Sequence, residues 1–222
     1  MYNPKIICSI FRLYEDNNED TAYYGTAVAI GNGYFLTAGH CVTQSRKKKW
    51  ICCRRTEYAA HLIKKWRKRD IALMRAPGLG GRIKELTIAT DLPQDGERVH
   101  IYSMPGSSQY HKKIYLSGFA DSLHQKNSMI EVAVEDRYKN PYIRYEGASG
   151  GAVINDQGKL FGLFVASEKK IHQFSHRSVI PKNPTSRALL RSLFNIRKTV
   201  HWLTVTLLTD IMYDLKEMNV IG

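Results

Sequence analysis

Cysteine is scarce in this chain. Cys8, Cys41, Cys52 and Cys53 are the four in 222 residues. Cys52 and Cys53 are adjacent, and no pair has the C-x-x-C spacing of a metal clamp or redox couple. Nothing here builds a disulfide framework, which fits a reducing compartment. Long apolar runs are also missing. Ile6 to Phe11 is too short for a secretory leader and follows a single lysine. Thr199 to Thr209, the longest uncharged apolar-rich run near the C-terminus, is too short to span a bilayer. The expectation is a soluble, non-secreted, intracellular (cytoplasmic) protein. Acidic residues are few: 20 Asp and Glu against 33 Lys and Arg, a formal net charge of +13. No RNP-like motif, zinc knuckle or KH-type loop accompanies that charge. No cofactor or metal is implied.

What is present begins with the basic excess. It gathers in Arg46-Lys47-Lys48-Lys49, in Lys64 to Arg69 and around Arg187 to Lys198. Such a surface aids solubility and attracts polyanions or acidic proteins. The chain is 43% hydrophobic, enough for a sizeable core. Short strand candidates punctuated by turns follow one another: Ile6–Tyr14, Thr26–Ile30, Tyr34–Thr37, Trp50–Arg54, Ala59–Lys65 and Ile71–Arg75. Gly31-Asn32-Gly33 reads as an Asn-Gly hairpin turn. After the glycine-rich break Pro77 to Gly81 come Arg98–Ser103, Lys112–Ser122, Met129–Val134, Gly151–Ile154 and Leu160–Ala166. The pattern predicts an all-β fold of two small antiparallel barrels over residues 1–80 and 95–183, joined by a linker over 81–94. From Pro184 onward, Leu189, Leu193, Ile196, Val200, Leu203, Leu207, Ile211 and Leu215 recur three or four residues apart. That spacing predicts a helical tail over 184–222, packed on the barrels or offering an oligomer or regulatory contact.

The most informative stretch is Gly147-Ala148-Ser149-Gly150-Gly151. G-x-S-G-G arises by chance in roughly one chain in two hundred of this length. Serine becomes a nucleophile when a base takes its proton and backbone N–H groups meet the developing charge. A glycine-rich turn with an exposed serine would look the same, so partners decide. His40, just after a strand in Leu36-Thr37-Ala38-Gly39-His40-Cys41, can accept and return a proton. Asp70, opening the apolar strand Ile71-Ala72-Leu73, can orient the imidazole.

In the order His, Asp, Ser, these motifs resemble the trypsin/chymotrypsin-like serine proteases. Thr37 to Cys41 is similar to T-A-A-H-C, Asp70 to Leu73 matches D-I-A-L, and Gly147 to Gly151 is similar to G-D-S-G-G. The resemblance is closer to the compact HtrA-type branch without its PDZ module, and extends to viral polyprotein-processing enzymes. The His–Asp interval is only 30 residues. Asp95 to Val99 with Ser103 to Gly106, and Gly151 to Phe164, resemble that branch's G-D-x-V…G-x-P-x-G and N-x-x-G-x-x-x-G stretches. It covers about residues 22–168.

The resemblance implies a double six-stranded β-barrel with Ser149 as nucleophile, His40 as base and then acid, and Asp70 as orienter. It implies an oxyanion hole from the N–H groups of Gly147 and Ser149. The pocket for the residue before the cut would be floored by Ile143 and walled by Val165, Ala166 and Ser167. Phe164 stands where some relatives carry a selecting histidine. An apolar floor favours a small or medium apolar residue, because it cannot offset the desolvation of a charge. Three departures matter. Ala148 replaces an aspartate that pairs with a cut N-terminal amine. Gly25 stands where a disulfide partner of Cys41 would be. Val165 stands where a serine often supports the aspartate, so support for Asp70 must come from elsewhere. The leading reading is a serine endopeptidase acting on polypeptides. The alternatives are a silent protease-fold module binding an acidic protein or nucleic acid, and an enzyme held latent by its tail or by an unformed oxyanion hole.

Overall fold

The computed structural model describes residues 6, 8–16, 21–42, 48–53, 55–104, 114–126, 128–135, 147–165 and 200–221. Twelve strands form two closed antiparallel barrels. The first holds β1 (Ile10–Asp16), β2 (Thr21–Gly31), β3 (Tyr34–Ala38), β4 (Lys49–Cys53), β5 (Thr56–Trp66) and β6 (Ile71–Arg75). The second holds β7 (Arg98–Ser103), β8 (Ile114–Lys126), β9 (Met129–Glu135), β10 (Ala152–Asn155), β11 (Leu160–Phe164) and β12 (Val200–Leu207). Going round the barrels, the orders are β1-β2-β3-β6-β5-β4 and β7-β8-β9-β12-β11-β10, so both are wound alike. A short helix, α1 (Met212–Glu217), follows β12. No described helix is long and apolar enough to cross a membrane.

Strand alternation explains how two barrels share one seam. Along β2, Ala27 and Ala29 point into the first barrel, whereas Val28 and Ile30 face the second. Along β6, Ala72 and Met74 point in, whereas Ile71 and Leu73 face out to the seam. Across it, Ala152, Ile154, Leu160 and Leu163 answer from β10 and β11. Strands buried on both faces must be apolar at nearly every position, which is why β6 reads as an unbroken run. Each Leu or Ile buried there stabilises by roughly 1.5–3 kcal/mol. The β2–β3 hairpin turns on Asn32 (φ 46°) and Gly33 (φ 77°), the positive pair that an Asn-Gly turn requires.

The connection between barrels is bonded to both. The Leu86 N–H donates to the Ala29 carbonyl at 2.9 Å, and the Ala89 N–H to the Leu160 carbonyl at 2.7 Å.

The helical expectation for 184–222 is corrected over Val200–Leu207. That segment is β12, paired with β9 and β11, and it closes the second barrel. The second barrel therefore extends past residue 183. A step of four residues fits both periods: it is about one helical turn and also two strand repeats. The residues between decide. Val200, Trp202, Thr204, Val205 and Thr206 are branched or aromatic, which favours a strand. The stripe residues Leu203, Leu207, Ile211 and Leu215 are buried inside the protein, so they present no free face. Residues 184–199 lie outside the described residues.

Beyond β12 the chain crosses to the first barrel. Leu208, Ile211, Leu215 and Val220 enter the seam cluster. Asp214 on α1 accepts from Lys64 Nζ at 2.7 Å and from Trp66 Nε1 at 2.5 Å, both on β5. These two contacts lower its carboxyl pKa, Lys64 first and Trp66 second.

Two outcomes follow from this closure. Truncation after residue 199 removes a barrel strand, so circular dichroism and size-exclusion should show an unfolded or aggregated chain; a dispensable tail would leave it folded. Gly162→Ala puts a Cβ 2.5 Å from Val205 Cγ1 and 2.8 Å from the Thr206 carbonyl. It should lower the unfolding free energy in urea by about 2 kcal/mol.

Candidate active site

His40 and Asp70 meet because of strand register. β3 pairs with β6, and Ala38 lies opposite Ile71. The next residues outward are Gly39 and His40 on one strand and Asp70 on the other. A 3-10 turn over Gly39–Cys41 leaves His40 exposed while Gly39 and Cys41 are buried. Asp70 lies in the left-handed region (φ 54°, ψ 44°), which Asp adopts more readily than most residues. From there its carboxylate holds the turn twice. Oδ1 accepts the His40 backbone N–H at 2.7 Å, and Oδ2 meets His40 Nδ1 at 2.7 Å. The Gly39 N–H donates to the Asp70 carbonyl at 2.7 Å. A Cβ on Gly39 would sit 3.0 Å from Asp70 Oδ1, so glycine suits this approach.

This pairing sets the imidazole's chemistry. When the ring is neutral, with its hydrogen on Nδ1 and donated to Asp70, Nε2 offers a lone pair for a proton. The Asp70 carboxylate, then the Cys41 thiol, raise the His40 pKa from 6.5 to about 10, against the opposing effect of burial. Support for Asp70 does come from elsewhere than Val165. His40 itself occupies both carboxylate oxygens. In addition, the Thr206 hydroxyl on β12 donates to the Arg69 carbonyl at 2.6 Å, and the Arg69 guanidinium pairs with Asp210 at 3.2 Å.

The serine turn sits just behind. The Ser149 carbonyl accepts the Thr26 N–H at 2.8 Å and faces the Cys41 thiol at 3.7 Å, within sulfur's hydrogen-bonding range. The residue after His40 thus touches the backbone of Ser149. The turn needs its glycines. Gly147 (φ 75°) and Gly150 (φ 84°) are left-handed, and a Cβ on Gly150 would lie 2.1 Å from the Thr26 carbonyl. The Gly150 N–H donates to the Phe164 carbonyl at 2.7 Å, and the Gly151 N–H to the Ala148 carbonyl at 3.1 Å. Ala148 is fully buried in the apolar cluster of the second barrel, where an unpaired aspartate would be costly.

A family model for the trypsin-like peptidase domain matches residues 25–163. The chain belongs to the trypsin-like peptidase domain family. In fold, this trypsin-like peptidase domain is similar to the serine endoprotease from Yersinia pestis, with a TM-score of 0.62, 16% identity, and 96% of this chain and 63% of that one covered. It is similar to the Rv3671c protease from M. tuberculosis in its active form, at TM-score 0.65 and 14% identity, covering 96% and 83%. It is also similar to the HtrA-type protease AlgW with a decapeptide, at TM-score 0.60 and 14% identity, covering 98% and 66%. The chain spans less than two thirds of the Yersinia and AlgW proteins. No curated protein matches the sequence.

Of the pocket residues expected from sequence, Phe164 and Val165 are buried at the end of β11 and just after it. Ile143, Ala166 and Ser167 lie outside the described residues, as does Glu146, which shares the peptide that carries the Gly147 N–H. A Cβ on Gly25 would meet Cys41 Sγ at 2.5 Å, so position 25 does face Cys41. Sequence reasoning missed the hydroxyls of Thr26, Ser103 and Thr206, all buried polar side chains beside this site. The available signal was weak: hydroxyl residues inside or ending otherwise apolar strands.

The raised His40 pKa means the folded state holds the ring proton more tightly than the unfolded chain. That stabilisation is fully present below pH 6.5 and is lost as pH climbs through about 10. Urea unfolding of wild type should weaken over this window relative to Asp70→Asn, whose stability should change less across it. Gly150→Ala forces a clash with the Thr26 carbonyl at a left-handed position and should cost at least about 2 kcal/mol in the same assay.

Proposed function

We propose that this chain is a serine endopeptidase. Ser149 Oγ attacks the substrate carbonyl carbon while His40 Nε2 takes its proton. The N–H groups of Ser149 and Gly147 hold the oxyanion. His40 then returns the proton to the leaving amine, freeing the first product and leaving an acyl-enzyme on Ser149. Water, deprotonated by the same imidazole, releases the second product and restores the serine. Asp70 stabilises the imidazolium at both stages. The observation that carries this reading is the 2.7 Å contact between His40 Nδ1 and Asp70, beside a serine turn whose Ser149 carbonyl is reached by Cys41.

The apolar side chains of Phe164 and Val165 support a small or medium apolar residue before the cut. None of the four cysteines is in a disulfide, which supports an intracellular setting. The exposed Arg67 and Lys68, in the turn just before Asp70, support contacts with acidic stretches of a polypeptide substrate.

A fluorophosphonate probe should label the wild type and not Ser149→Ala, and His40→Ala should lower kcat at least about a thousandfold. Equal labelling of wild type and Ser149→Ala sinks the endopeptidase reading. A peptide-library profile dominated by Arg, Lys, Glu or Gln before the cut contradicts the apolar pocket.

A further inference from the structure

Two buried hydroxyls beside the serine turn take no part in the chemistry above. Thr26 lies within β2 of the first barrel and is fully buried; Ser103 ends β7 of the second and is 2% exposed. Buried hydroxyls must find partners or lose about 1–3 kcal/mol each. These two lie 3.0 Å apart across the seam and share one task. Thr26 Oγ1 reaches the Gly147 carbonyl at 3.0 Å, and Ser103 Oγ donates to the Ala148 carbonyl at 2.7 Å. Thr26 Oγ1 accepts the Met104 N–H at 3.1 Å and lies 3.4 Å from the Met104 carbonyl. One hydrogen per hydroxyl serves both carbonyls of the turn when Thr26 donates to Gly147 and Ser103 to Ala148. The Thr26 backbone N–H takes the next carbonyl, that of Ser149. Three successive carbonyls are therefore drawn to the same inner side.

A trans peptide is planar, with N–H and C=O on opposite sides. Holding the Ala148 carbonyl inward therefore aims the Ser149 N–H outward. The Gly151 N–H also reaches the Ala148 carbonyl within the turn, at 3.1 Å, but the left-handed glycines at 147 and 150 give the turn little side-chain restraint of its own. We propose that Thr26 and Ser103 are positioning residues that set the direction of the Ser149 N–H by gripping the turn from behind. Because Thr26 comes from the first barrel and Ser103 from the second, their joint grip ties that direction to the docking of the two barrels. The catalytic consequence rests on the endopeptidase reading; the peptide geometry does not.

The test uses Thr26→Val, which keeps shape and loses the hydroxyl, with Ser103→Ala, the double variant and Thr26→Ser. Thr26→Val should lower kcat about 10- to 100-fold, less than removal of an oxyanion donor altogether, with KM within about twofold. Thr26→Ser should restore kcat, which a loss of packing alone would not predict. In a crystal structure of the double variant, the Ala148 carbonyl should be rotated away from its inward position. If Thr26→Val does not fold, Ser103→Ala, which removes one oxygen from a small side chain, carries the same kinetic and structural test. A double variant with its Ala148 carbonyl still inward overturns the proposal, as does a folded Thr26→Val with wild-type kcat. A wild type that the fluorophosphonate never labels would remove the peptidase reading, while the carbonyl's orientation would still decide this one.

Discussion

One backbone hydrogen bond across the seam makes the two barrels a single site: the Thr26 N–H to the Ser149 carbonyl, at 2.8 Å. It joins the strand beside β3, which leads into the His40 turn, to the turn that carries the serine. Main chains approach this closely only where side chains are absent, which is the role of Gly25 and Gly150 there. A Cβ on the former would lie 3.0 Å from the Ser149 carbonyl, and on the latter 2.1 Å from the Thr26 carbonyl. The bond is worth only about 1 kcal/mol net. The docking energy comes instead from the apolar seam of Leu36, Leu73, Leu163 and their neighbours. Burial supplies the strength and the hydrogen bonds supply the direction.

The electrostatics follow the same division. Asp70 is mostly covered, its side chain 23% exposed, and spends both oxygens on His40, so its charge acts on one partner. Its loop is steadied from the far end of the chain, by the Thr206 hydroxyl and by Asp210. The exposed Lys64–Asp214 pair adds little energy at the surface, yet with Trp66 it fixes where α1 lies on β5. At the serine turn the protein does without charge: Ala148 packs among apolar side chains and hydroxyls orient the carbonyls.

Much of this arrangement is legible in the linear chain. β6 stands out because both of its faces are buried, and the Asn32-Gly33 turn because two positive φ angles need those residues. His40, Asp70 and Ser149 are legible because their flanking residues are tightly constrained: Gly39 by Asp70, Gly150 by Thr26. β12 is misread because a step of four suits both a helix and a strand, and only the gap between β9 and β11 chooses between them. Thr26 and Ser103 are silent for a different reason. A hydroxyl in a strand is ordinary until its acceptor, a carbonyl 121 or 45 residues away, is known.

Local constraints, then, are written in the residues themselves. Turn glycines, strand alternation and the short motifs around His40, Asp70 and Ser149 answer to steric and chemical demands within a few residues. What folding added was the pairing of distant groups: the sixth strand of the second barrel, the hold of the C-terminal segment on the Asp70 loop, and the inward pull on three carbonyls. Those depend on which surfaces meet, and hydrogen-bond partners far apart in the chain leave no periodic trace in its order.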